Sequence, residues 1–150
     1  PVSVHVARRR HRMSESGARL DHRFGRDEQR SLARERRVAI ADMRAIDEFG
    51  VGVLIRKVIE RVRAQNGALH LSFDVDFLDP DIAPGVGTTV SGGPTYREAQ
   101  LCMEMVADTG RLASLDVVEL NPAFDIRNRT AEVAVDLIGS LFGKSTLMRK

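Results

Sequence analysis

Tryptophan is absent from the 150 residues, and tyrosine and cysteine each occur once. A single thiol, Cys102, excludes an intrachain disulfide and fits a reducing, cytoplasmic setting. No apolar run is long enough to cross a bilayer as a helix, so no membrane partner is expected. No charged start followed by an apolar stretch marks a secretory signal. What is present, 43% apolar and 29% charged residues, is the composition of a soluble globular chain with enough length for one core.

The net charge of +2 conceals an asymmetry. Residues 1–37 hold eleven Arg against five acids, whereas the rest holds twelve basic and sixteen acidic groups. The basic character therefore belongs to the leader. Without interleaved aromatics it does not read as a nucleic-acid surface, and no nucleic-acid partner is expected.

Residues 1–26 show no sustained apolar period and are expected to be an irregular, non-native or disordered leader. An Arg-rich, acid-poor stretch would also suit a transit peptide, although it starts with Pro. The core portion is expected over residues 27–144, with 145–150 as a tail. "DEQRSLARERR" reads as a short polar helix and "VAIADM" as a short strand. After Asp47, apolar residues at 51, 54, 55, 58, 59 and 62 recur at three and four, predicting an amphipathic helix that Asn66-Gly67 ends. "ALHLSFDVD" reads as a strand running into a long loop, Phe77 to Pro94. Thr95 and Glu98 form a capping-box pattern for the next helix, which Gly110 stops. "ASLDVVELNP" predicts a further strand, and "TAEVAVDLIGSLFG" a last helix from Thr130. Strands alternating with helices imply a parallel α/β sheet, incomplete because only three strands are visible.

Two aspartates one residue apart, Asp74 and Asp76, close an apolar strand. Strand alternation would aim both to one side, within reach of a shared cation, at the carboxyl end where open α/β sheets bind ligands. Oxygen donors suit Mg²⁺ or Mn²⁺. The plainer alternative is that one carboxylate caps a turn and the other meets an Arg. The Pro/Gly/Thr loop "DPDIAPGVGTTVSGG" and Glu119, at the end of the next strand, extend the rim. Asp116 has the opposite parity and reads as structural. His70 shares the parity of Asp74, and reads either as a satisfied core histidine or as a support for a metal ligand.

At these residues the chain resembles the ureohydrolases, and among them the arginase family. "SFDVDFLDPDIAPGVGT", "GGPTYREA", "SLDVVELNP" and "RTAEVAV" occur in that family's order and spacing, from about Asp27 to Lys144. The resemblance implies a three-layer α/β/α fold and a pair of Mn²⁺ ions. It also implies hydrolysis of the L-arginine guanidinium to L-ornithine and urea. Carried over by motif, Asp74 and Asp76 are metal ligands, and Thr88 and Glu119 contact the substrate, Glu119 with a catalytic role. Arg97 and Glu98 fall at positions that assemble homo-oligomers, trimers or hexamers, although Glu98 also fits the helix cap. An agmatinase-like specificity is the nearest alternative.

The Gly-Gly-Asp-His and Asp-Ala-His-x-Asp segments that supply most of the family's metal ligands do not occur in the 150 residues. Two cations about 3.5–4 Å apart each need several fixed ligands, and two aspartates do not suffice. The expectation is a C-terminal portion of such an enzyme, with little or no activity alone. Two other classes compete. A haloacid-dehalogenase-like phosphatase would use Asp74 as nucleophile, but its motif does not have a Leu where Leu78 stands. A non-catalytic oligomerisation fragment would use the Arg97/Glu98 helix without metal.

Overall fold

The computed structural model describes residues 3–7 and 39–144. Three strands, β1 (Ser3–Ala7), β2 (Ala68–Asp74) and β3 (Leu112–Val118), form one sheet in the order β1-β2-β3. Among the described residues four helices accompany them: α1 (Met43–Phe49), α2 (Val51–Ala64), α3 (Tyr96–Ala107) and α4 (Arg129–Leu141). Strands β2 and β3 run parallel, joined by a crossover through α3, as the alternation of elements requires.

Three expectations change. The leader is not irregular throughout, because Ser3–Ala7 pair antiparallel with β2, Ser3 facing Ser72 and Ala7 facing Ala68. The sheet is therefore mixed. The strand expected at "VAIADM" is not formed by its described residues: 39–42 are non-regular, and Met43 opens α1. Asp42 caps that helix by accepting the Ala45 N–H at 3.0 Å, so a local side-chain bond outweighs the β propensity of the preceding residues. The single helix predicted after Asp47 begins at Val51, because Gly50 stands at φ 77 and separates α1 from α2. The polar helix expected at "DEQRSLARERR" lies outside the described residues.

The core follows from period. Leu69, Leu71 and Phe73 alternate along β2 and are buried, while Ala68, His70, Ser72 and Asp74 are only half-buried. Against them pack Val62 of α2, Ala99, Met103 and Val106 of α3, and Ala134, Leu137 and Leu141 of α4. Burying each Val, Leu, Met or Phe among these contributes about 1.5–3 kcal/mol. The other face of β2 and β3 is polar. There His70 Nδ1 lies 2.8 Å from Ser114 Oγ, and its Nε2 lies 3.5 Å from Asp116 Oδ2. His70 is thus satisfied, but on a half-exposed sheet face and not in the core.

The sheet carries a bulge. Leu69 faces Leu112 but His70 faces Ser114, leaving Ala113 as an extra residue. The bulge lets Leu112 and Leu115, three apart, both pack against the core. After it the register is regular to Asp74 opposite Val118. Among the described residues no helix is long and apolar enough to cross a membrane.

Candidate active-site rim

β2 ends at Asp74, and the chain immediately tightens into a 3-10 turn, Val75–Phe77. The Asp76 N–H donates to Asp74 Oδ1 at 3.2 Å, so Asp74 caps this turn. Asp76 consequently sits on the turn and not on the strand, and strand alternation does not govern where it points. Proximity of the pair comes from the tight turn instead. Both aspartates are half-buried. Burial pushes the Asp74 carboxyl up to about 6, and the adjacent Asp76 adds to that shift.

Glu119 follows β3 directly. Since Asp74 is opposite Val118, Glu119 is the next residue along the neighbouring, parallel strand end, and both acids lie on one rim of the sheet. Glu119 is exposed and has φ 66, a left-handed conformation in which a non-glycine residue costs on the order of 1 kcal/mol or more. The turn it makes lets Leu120 form an antiparallel bridge with Val86. That bridge draws the Pro/Gly loop onto the rim. A Cβ placed on Gly87 would lie 3.8 Å from Glu119 Oε2, and Thr88 is the next residue, exposed to solvent.

Several side chains that hold this loop were not singled out by motif. Asp79 closes its base: its carboxylate accepts the Asp81 and Gly92 N–H groups, both at 2.9 Å, and its own N–H donates to the Pro94 carbonyl at 3.2 Å. These bonds hold the Asp79 carboxyl below the usual carboxylate range. Gly93 packs so tightly that a Cβ would come within 2.7 Å of Asp79 N and Phe77 O. At the middle of the loop, the Gly85 N–H donates to the buried Thr130 hydroxyl at 2.7 Å, and its carbonyl accepts the Asn121 N–H at 2.8 Å.

Asp125 carries out the capping of α4. It accepts the Thr130 N–H at 3.0 Å and the Ala131 N–H at 3.1 Å, while Asn128 at the helix boundary makes no side-chain cap bond. Burial acts to raise the Asp125 carboxyl, but hydrogen bonds from Thr130, Ala131 and Ile126 outweigh it and leave the group below its ordinary value. The signals were local: Asp-Pro-Asp at 79–81 is a turn pattern, and an Asp shortly before a helix is a cap candidate.

Glu98 completes the capping box with Thr95, whose N–H donates to Glu98 Oε2 at 2.8 Å. The cap reading of Glu98 therefore holds. Arg97 hydrogen-bonds Gln100, whose amide in turn reaches Ser140 Oγ of α4. Cys102 is buried, and burial pushes its thiol up to about 12, which leaves it unreactive at neutral pH.

As donors, Asp74 and Asp76 fit a hard divalent cation. The pair is half-buried, Asp76 adds to the raised proton affinity of Asp74, and a cation would offset both charges. They do not amount to a complete binuclear centre. Among the described residues no three His, Cys, Asp or Glu side chains gather in a group able to hold a metal.

Comparison with known proteins bears on the chain as a whole. The family model described as "Arginase family" matches residues 11–143, beginning earlier than the motifs alone indicated. The arginase of Brucella melitensis biotype 1 is 57% identical over 121 residues, covering 81% of this chain and 40% of that protein. The arginase of Agrobacterium fabrum is 52% identical over 122 residues, covering 81% and 38%. The native structure of Bacillus caldovelox arginase superposes with a TM-score of 0.76 at 43% identity, covering 81% of this chain and 40% of that one. The chain spans about two fifths of the length of the curated relatives it matches. With that match over most of its length, the chain belongs to the arginase family.

Proposed function

We propose that this chain supplies one side of the active-site rim of an arginase-type hydrolase. The reaction would cleave the guanidinium of L-arginine to L-ornithine and urea. The observation that carries the reading is the parallel register. It sets Glu119 one residue past the partner of Asp74 and leaves its carboxylate facing the loop at Gly87.

In this reading Asp74 and Asp76 are ligands to Mn²⁺, which when bound supplies an activated water for attack on the guanidinium carbon. Glu119 binds and orients the planar cation, since a carboxylate offers the two acceptor oxygens that a guanidinium fork prefers. Thr88 offers a hydroxyl beside it. The left-handed backbone at Glu119 supports the assignment, because strain of this kind is found where a side chain must be held in place. Homo-oligomeric assembly and a cytoplasmic location belong to the same proposal.

Two carboxylates do not fix two cations, so the 150 residues alone are proposed to have little or no ureohydrolase activity. The test is urea release by the purified chain with Mn²⁺ and L-arginine. No urea above background is expected, and turnover like that of a complete arginase would refute the claim.

A further inference from the structure

Of the four glycines in the loop at 85–93, two are closely packed, Gly92 has a positive φ of 82, and Gly87 has neither feature. Gly85 backs onto Asp125, and Gly93 onto the 77–79 backbone, each with less than 3 Å to spare for a Cβ. Gly87 differs. It is exposed, it lies outside the left-handed region, and a Cβ there would meet one neighbouring atom within 4 Å, at an ordinary van der Waals distance. That atom is Glu119 Oε2, 3.8 Å away. Neither a left-handed backbone nor a tight neighbour therefore calls for glycine at 87. What a side chain would do is take up space beside the Glu119 carboxylate.

We propose that Gly87 is a specificity-determining residue that keeps the approach to Glu119 open for a planar guanidinium. This rests on the reading of Glu119 as the guanidinium-binding carboxylate and extends it to a residue that touches no partner through a side chain. The chemistry is steric. A guanidinium must bring two N–H groups into the plane of the carboxylate to make a bidentate pair. A methyl on Gly87 would share the volume next to Oε2, and an isopropyl group would occupy more of it. Larger groups at 87 should reject an alkylated guanidinium more strongly than the unsubstituted ion. They should leave the backbone unchanged, because Val86 remains bridged to Leu120 and Gly85 remains bonded to Thr130.

The experiment uses the full chain labelled with 15N, titrated with methylguanidinium and with guanidinium at millimolar concentration. The Glu119 amide is followed in wild type, Gly87→Ala, Gly87→Val and Glu119→Gln. Expected are thermal midpoints for both Gly87 variants equal to wild type, and methylguanidinium binding weakened roughly fivefold or more by Gly87→Val, the low end of an overpacking cost. Gly87→Ala should fall between the two, and guanidinium itself should be affected less. If wild type binds in a Glu119-dependent manner and Gly87→Val binds equally well, the role of Gly87 is overturned while the function of Glu119 stands. If either Gly87 variant lowers the thermal midpoint or fails to fold, glycine is there for folding and the proposal also fails. If wild type binds methylguanidinium no better than Glu119→Gln, both readings fall together.

Discussion

Gly85 and Asp125 are packed back to back: a Cβ on Gly85 would stand 2.6 Å from both Cβ and Cγ of Asp125. Asp125 is in turn bonded to the first N–H groups of α4, and Gly85 to the Thr130 hydroxyl. The loop facing Glu119 is thereby built directly on the start of the last helix.

Gly85→Ala is accordingly expected to destabilise the chain by about 1–3 kcal/mol, the cost of overpacking where Asp125 cannot retreat without losing its cap bonds. Urea denaturation followed by circular dichroism measures this. A variant as stable as wild type would mean that the two segments yield easily.

Thr130→Val removes the acceptor of a buried N–H while nearly conserving volume. Leaving Gly85 N–H unsatisfied should cost about 1–3 kcal/mol. Thr130→Ser keeps the hydroxyl and should recover most of it, as read from the same denaturation midpoints.

Glu119→Gly separates stability from function. Glycine accepts φ 66 without a Cβ penalty, so the variant should be more stable, by on the order of 1 kcal/mol, and should lose guanidinium binding. Calorimetric melting and a ligand titration on one sample check both. Loss of stability would show that the Glu119 side chain contributes to folding.

The pH dependence has two opposing parts. Asp79 and Asp125 have folded values below their unfolded ones, so they stabilise above the unfolded pKa, and that contribution is lost as pH falls through the folded values. Asp74 is raised to about 6, so in the metal-free chain its favourable contribution is present below the unfolded value of 3.8 and disappears as pH rises through about 6. Asp74→Asn should therefore gain stability relative to wild type as pH climbs from 4 to 7, measured as the difference in denaturation midpoint. A constant difference across that range would contradict the raised value.

Strand β3 was legible as an apolar run between helices, without alternation of burial, whereas helices α2, α3 and α4 and strand β2 were legible because their burial is periodic in sequence. Each of the latter has an apolar stripe of period 3.6 or 2, and the Thr95/Glu98 box and Asn66-Gly67 mark ends by local hydrogen bonding and backbone preference. "VAIADM" was not, since a short apolar run carries no period of its own, and Asp42 near its end caps a helix that starts at Met43. The pairing of Ser3–Ala7 with β2 was not legible either, because the short alternation of Val2, Val4 and Val6 stands in an Arg-rich stretch and does not specify which strand it pairs with.

Alone, the sequence determined which residues are acidic at the strand ends and which motif surrounds them, since covalent order places Asp74, Asp76 and Glu119 just after apolar runs. Tertiary structure decided how they meet. The bulge at Ala113 set the register that brings Val118 opposite Asp74, and the turns at Asp76 and Glu119 took both residues out of strand alternation. Register and left-handed turns arise from contacts between segments some 40 residues apart, such as Leu69 with Leu112 and Val86 with Leu120, and no local pattern encodes them.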